Sequence, residues 1–361
     1  MTDVDRILEV AQDAGRKAAA LCRAVHASTP ESMDKSDKSP VTIADYGSQA
    51  VILRAIASAF PNHAIIAEEG SEHLRESAGA DGAAKIVKLV NDVIGGDGAN
   101  PNNGTKTDAN NGDLAADFEQ VCNWIDHAGP ATPAANGDAA SATLAHEFTW
   151  SIDPIDGTKG FLRRQQYAIA IGLLRNGVPF AGVMVCPNLP VDLGSPEGQK
   201  GVMYVAADGR GTTRVPLDGG ESGPANASTN PDSTAWRVLG SVESAHGDPA
   251  LVVKMMEEAN IAGGFVRYDS QVKYGIIAEG AAEVYLRPRS RPDYRENIWD
   301  HVAGVIVAQE AGGLVTDTDG KPLDFTLGTK LTENRGVLAT AGRAVTDAVV
   351  AGIAAAEKAL A

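Results

Sequence analysis

Trp150-Ser151-Ile152-Asp153-Pro154-Ile155-Asp156-Gly157-Thr158-Lys159-Gly160-Phe161 sets two carboxylates three residues apart, with a Pro-Ile pair between them. Thr149, Trp150 and Ile152 favour β structure, so Asp153 is expected where a strand ends. Pro154 fixes φ and bends the chain, and Asp156-Gly157-Thr158 suits entry to a turn or short helix. Such a bend can aim both acids at one point, where they must bind cations or share a proton. Free N–H groups around Gly157 and Thr158 would suit a phosphate beside those cations. Asp, Gly and Pro are also ordinary turn residues, so the acid pair alone leaves a solvated turn equally open.

The 361 residues suffice for one large domain or two joined ones, and 43% hydrophobic residues support a globular core. A net charge of -16, from 47 acids against 31 bases, argues against nucleic-acid polymers as partners. It leaves room for a small anionic ligand where bound Mg²⁺ supplies positive charge. Cys22, Cys122 and Cys186 lie far apart and follow no metal spacing, which fits buried apolar fillers in a reducing compartment. No apolar run is long enough to span a bilayer, and the N-terminus reads as a helix and not as a signal peptide. A cytoplasmic monomer with no membrane association is the expectation.

Helical periodicity runs from about Asp3 to Ala27 and again from Asp45 to Phe60. Ala64–Ala67 is a short strand delivering Glu68-Glu69. Residues 95–113 and 129–146 are Gly/Asn-rich and Ala/Pro/Gly-rich, and read as inserts. Hairpins are expected around Arg175-Asn176-Gly177 and Asp208-Gly209. The second half alternates strands and helices: Arg237–Val242, 248–260, Phe265–Tyr268, Gln271–Glu279, Glu283–Arg287, Asp300–Ala311, Leu314–Thr316, Gly336–Ala339 and 344–360. Helices sandwiching sheets fit this order.

Three further stretches carry candidate chemistry. Asp45, in Pro40-Val41-Thr42-Ile43-Ala44-Asp45, sits where an N-cap is expected, and capping alone would explain it. Glu68 or Glu69 can face a cleft, although acids also suit a helix start. Trp299-Asp300-His301 opens a helix, where Asp300 also suits a cap.

Taken whole, Asp153-Pro154-Ile155-Asp156-Gly157-Thr158-Lys159-Gly160-Phe161 resembles the signature of the lithium-sensitive, magnesium-dependent phosphomonoesterases of the inositol monophosphatase superfamily, in particular its 3′(2′),5′-bisphosphate nucleotidase branch. Trp299-Asp300-His301, followed by Glu310-Ala311-Gly312-Gly313, is similar to the second superfamily signature. The resemblance runs in blocks from about Ser39 to Gly313 and leaves the inserts unmatched.

The resemblance implies an α/β protein with the layered α-β-α-β-α sugar-phosphatase fold. An α+β part (1–190) would carry most metal ligands. An α/β part (191–361) would carry the nucleotide-binding residues and the last ligand. It implies that Glu68, Asp153, Asp156, Asp300 and the Ile155 carbonyl bind two to three Mg²⁺, all through oxygen. Asp45 and Thr158 would hold and deprotonate the attacking water. Gly157 and Thr158 would meet the phosphate, His246 the base, and Ser270, Lys273 and Arg287 the remaining phosphate and ribose. Arg163-Arg164 departs from the usual Arg-Gly, so the loop after Phe161 is expected to differ in shape. The implied substrate is a small nucleotide bisphosphate. An inositol phosphatase and a non-catalytic nucleotide sensor are the rivals. The Thr158-Lys159-Gly160-Phe161 ending argues against the first, and the intact Asp45 and Thr158 pair argues against the second.

Overall fold

The computed structural model describes residues 3–27, 32–34, 40–95, 115–127, 146–242, 249–289 and 291–360. The expected inserts fall, apart from Gly95 and His146, outside the described residues, as does His246.

The N-terminal half contains helices α1 (Asp3–Ala27), α2 (Ile43–Ala59), α3 (Ser71–Ser77), α4 (Gly79–Ile94), α5 (Phe118–Ile125) and α6 (Thr158–Leu162). Strands β1 (Ser32–Asp34) and β2 (Pro40–Thr42) pair with each other. A seven-stranded sheet follows, in chain order: β3 (Ala64–Ala67), β4 (Phe148–Asp156), β5 (Ala168–Arg175), β6 (Val178–Pro190), β7 (Lys200–Ala207), β8 (Thr212–Pro216) and β9 (Gly223–Ala225). Only its first pair, β3 with β4, is parallel. Strands past residue 190 thus belong to the first sheet, and the division expected there does not coincide with the break between sheets.

The second sheet is built from β10 (Val238–Gly240), β11 (Phe265–Arg267), β12 (Val284–Arg287), β13 (Leu314–Thr316) and β14 (Val337–Thr340), in the order β11-β10-β12-β14-β13. Its helices are α7 (Pro249–Glu258), α8 (Val272–Ala278), α9 (Val302–Glu310) and α10 (Arg343–Leu360).

Alternation along the strands divides the core into three. Ile169, Ile171, Val183 and Val185 point to α1 and α2, whereas Ala168, Met184, Cys186 and Tyr204 point to α8 and α9. Tyr285 and Ala339 meet those same helices from the second sheet, while Val284 and Leu338 face α7 and α10. The layers therefore run α-β-α-β-α, as expected from the resemblance. Every described residue of α8, and Val302–Ala308 of α9, is buried. These helices have a sheet on each side, so they are apolar nearly all round, with Lys273 of α8 the charged exception.

Close approach fixes the height of α9 over the first sheet. Gly172 and Gly182 are cross-strand partners. A Cβ on Gly172 would stand 2.6 Å from Val302 Cγ1, and one on Gly182 would stand 2.5 Å from Ile306 Cγ2. Neither distance is tolerable, so the helix can lie this low only on bare backbone.

Candidate active site

The acids are brought together by strand register. Ala67 pairs with Ile152 in the parallel ladder, so Glu68 and Asp153 leave adjacent strands at the same level. The Glu68 N–H donates to the Ile152 carbonyl at 3.2 Å. β4 does not stop at Asp153, as the sequence suggested; it continues to Asp156 through a bulge. Asp153 faces Ala170 and Asp156 faces Ala168, so two intervening residues oppose one. In a regular strand residues i and i+3 point to opposite faces; the extra residue puts both carboxylates on one face. The Ile155 N–H donates to Asp153 Oδ1 at 3.1 Å inside this bulge.

Gly157 then takes φ 90, a left-handed conformation that starts α6. A Cβ there would sit 3.0 Å from Cβ of Ser270, itself at φ 63. The two halves of the chain thus meet at two unusual backbone conformations. The Gln271 N–H donates to Asp156 Oδ2. Its side-chain amide, 2% exposed, spans Trp299 O at 3.0 Å and the Gly304 N–H at 3.3 Å. Gln271 therefore ties the Asp156 bend to the turn bearing Asp300. Nothing in the sequence marks it beyond its place after Ser270.

Glu68, Asp156, Gly157, Thr158 and Asp300 line one cavity of about 290 Å³. Ser270, Lys273 and Arg287 line the same cavity. Asp153 and Asp45 lie buried, at 2% and 1% exposure. The N-cap reading of Asp45 does not hold, because α2 begins at Ile43 and places Asp45 inside its first turn. Lys159, Tyr294 and Asn297 also line the cavity, and sequence reading had not singled them out as ligands.

Burial pushes the Asp153 carboxyl well above its usual range, and Glu68, Asp156, Asp300 and Asp45 push it further. Asp156 is raised by burial, although Lys273 and Arg287 oppose the shift. Asp300 is pushed up to about 7 by burial, with Arg287 opposing and Asp156 adding to the rise. Five acids that repel one another, offering only oxygen, fit hard divalent cations. Glu296, Asp300 and His301 also bring one ligand atom each within 4.8 Å of one another.

The cations of the cavity are held differently. The Lys273 ammonium donates to the carbonyls of Tyr268 at 3.0 Å and Ser270 at 2.6 Å, and lies 5.1 Å from the Tyr285 ring centroid. It thus pins the left-handed Ser270 turn, a duty the sequence did not reveal. Burial lowers Lys273 to about 8, despite Asp156. Arg287 is held by Glu296, through Nε to Oε1 at 3.0 Å and Nη2 to Oε2 at 2.7 Å. Burial would raise Glu296, but Arg287 and His301 outweigh it and hold the carboxyl at about 2.

The loop after Phe161 opens on a helix-ending turn of the kind that usually carries glycine. The Arg164 N–H donates to Phe161 O at 2.9 Å and the Gln165 N–H to Gly160 O at 2.8 Å, which closes α6 in a Schellman arrangement. Arg164 holds the left-handed position with φ 57. An L residue there is strained, so Arg164→Gly should raise stability by about 0.5–1 kcal/mol after the added freedom of the unfolded chain is offset. Thermal unfolding tests this, and a lower melting temperature would mean the arginine side chain outweighs its backbone strain.

The inositol monophosphatase family description matches residues 112–357. A 3′(2′),5′-bisphosphate nucleotidase of Emericella nidulans is 38% identical over 338 residues, covering 89% of this chain and 89% of its own. One of Oryza sativa is 37% identical over 344 residues, covering 92% and 89%. The structure of Thermotoga maritima IMPase covers 100% of both chains with a TM-score of 0.61 at 19% identity, a likeness of fold. No helix among the described residues is long and apolar enough to cross a membrane. The register-built acid cluster, the family match and these relatives converge: the chain is a phosphatase, and it belongs to the inositol monophosphatase family.

Proposed function

We propose that the protein hydrolyses adenosine 3′,5′-bisphosphate to AMP and phosphate, and 3′-phosphoadenylyl sulfate in the same way. The observation that carries this reading is a single cavity lined both by acids and by Lys273 and Arg287. A monophosphate needs only the acids and the cations they hold. A bisphosphate must also place its second phosphate against cationic donors, because leaving that charge unpaired would oppose binding. The names of the relatives point the same way.

Glu68, Asp153, Asp156, Asp300 and the Ile155 carbonyl would hold two to three Mg²⁺. Bound there, the ions supply positive charge for the attacking water and for the leaving oxygen. The chain's own groups do the remaining work. The Thr158 hydroxyl donates to the Ile155 carbonyl at 3.3 Å, so its lone pairs are left to accept a hydrogen bond from the water. Asp45 takes the proton from that water. The water oxygen bonds to phosphorus, the bond from phosphorus to the 3′ oxygen breaks in line, and that oxygen leaves and is protonated. Ser270, Lys273 and Arg287 hold the 5′ side.

Phosphate release from adenosine 3′,5′-bisphosphate, 3′-phosphoadenylyl sulfate and inositol 1-phosphate with Mg²⁺ tests the assignment. Faster turnover of the inositol phosphate would overturn it, and no turnover of any substrate would favour a sensor. Lys273→Ala should raise KM for the bisphosphate ten- to a hundredfold, about 1.5–3 kcal/mol for a charged hydrogen bond. KM for a monophosphate should hardly move. Equal losses on both substrates would mean that Lys273 serves only the Ser270 turn.

A further inference from the structure

We propose that Glu296 is a positioning residue: it aims the guanidinium of Arg287 at the substrate and limits its hold on Asp300 to one longer ion pair. The inference rests on the reading that Arg287 meets the second phosphate.

Arg287 stands between two carboxylates. Glu296 takes its Nε and Nη2 edge at 3.0 and 2.7 Å, while Asp300 Oδ2 lies 3.6 Å from Nη2. A guanidinium has a fixed planar fork, so gripping one edge sets where the other edge points. With the Nε and Nη2 edge engaged, Nη1 is the nitrogen left for the cavity that Arg287 lines. Tyr294 reinforces the setting, since its hydroxyl accepts from Nη2 at 3.3 Å.

Glu296 can act this way because it cannot move. It is 3% exposed, and its Oε2 lies 3.4 Å from His301 Nε2. His301 Nδ1 lies 2.8 Å from the Tyr274 hydroxyl, and both rings are fully buried. A neutral ring donating from Nε2 and accepting at Nδ1 satisfies both partners. The Leu331 N–H fixes the Glu296 carbonyl at 2.9 Å. Without the Glu296 carboxylate, Asp300 would be the nearest acid to the guanidinium. Arg287 would then turn onto Asp300 and away from the substrate.

The test uses the Mg²⁺-loaded enzyme and compares Glu296→Gln, Glu296→Asp, Arg287→Lys and the Glu296→Gln/Arg287→Lys pair. KM and kcat for adenosine 3′,5′-bisphosphate are measured beside the melting temperature. Glu296→Gln should raise KM about tenfold and move kcat far less, the size of one charged hydrogen bond. In the Arg287→Lys background the same change should alter KM less than about twofold, because the fork it aims is gone. Glu296→Asp keeps the charge but shifts the grip, so it should raise KM with little loss of melting temperature; it decides the matter if the glutamine variant does not fold. Additive effects in the pair, or an unchanged KM in Glu296→Asp, overturn the proposal. If Arg287→Lys raises KM while the Glu296 variants do not, only the role of Glu296 falls. If Arg287→Lys leaves KM unchanged, the reading of the cavity falls with it.

Discussion

Asp153→Asn should reduce phosphate release at saturating Mg²⁺ by at least about a thousandfold, roughly 4 kcal/mol of lost transition-state stabilisation. Asp153 borders the bulge, level with Glu68 and on the same face as Asp156, so it sits where the acids converge. Asparagine preserves the shape and can still accept the Ile155 N–H, which leaves the bulge intact. It removes one negative charge from the set that would hold the cations, and a neutral amide is a poor ligand for Mg²⁺. Without metal the variant should be more stable than the parent, because burial and four neighbouring acids already oppose ionisation of Asp153. Phosphate assays and thermal unfolding in chelator read the two effects. An active variant, or a metal-free variant less stable than its parent, contradicts the place given to Asp153.

The buried acids should make the metal-free protein lose stability as pH rises from about 5 to about 8, reversing the usual behaviour of paired carboxylates and working against His26, His63 and His301, which burial holds below their usual range. Asp300 is raised from 3.8 to about 7 in the folded chain, and Asp153 and Asp156 move in the same direction. Between about pH 4 and 7 the folded form therefore holds more protons than the unfolded form. Stability falls as pH rises through this window and levels off above it. For Asp300 alone the shift corresponds to about 4 kcal/mol, as an order of magnitude. Saturating Mg²⁺ favours the ionised carboxylates and should flatten or invert the slope. Urea unfolding with chelator and with Mg²⁺ at both pH values provides the measurement. A metal-free stability that rises with pH across the window would show that these acids are not mutually repelling in the folded state.

The layers were legible because helical periodicity and hairpin turns are local signals. Tyr167–Leu174 and Pro179–Val185 read as a hairpin around Asn176-Gly177, which is where β5 and β6 turn. The ends of the second-half elements were legible to within about two residues. What escaped is non-local. The bulge at Pro154-Ile155 exists only relative to β5, so the sequence shows two acids but not that they share a face. Glu296 sits in the polar stretch Arg295-Glu296-Asn297, yet folding buries it between Arg287 and His301. Lys273 was legible as a cation one turn after Ser270. Its grip on the Tyr268 and Ser270 carbonyls depends on a left-handed residue that no pattern announces. Arg164 shows the limit from the other side: its residue type does not announce a left-handed conformation, yet the helix-ending hydrogen bonds impose one.

The glycine pair beneath α9 bears on how this scaffold can be recombined. Asp300 precedes the helix by two residues, so its depth in the acid cluster follows the seating of α9. That seating is fixed by Gly172 and Gly182, which lie on β5 and β6. The gauge of the cluster is therefore set by two absent methyl groups on the neighbouring sheet, not by any side chain that touches a ligand. A chimera that imports residues 298–310 from a relative inherits the carboxylate but not the clearance beneath it. The two strands and the helix form one exchangeable cassette, and splitting it would displace Asp300 while leaving every acid in the sequence.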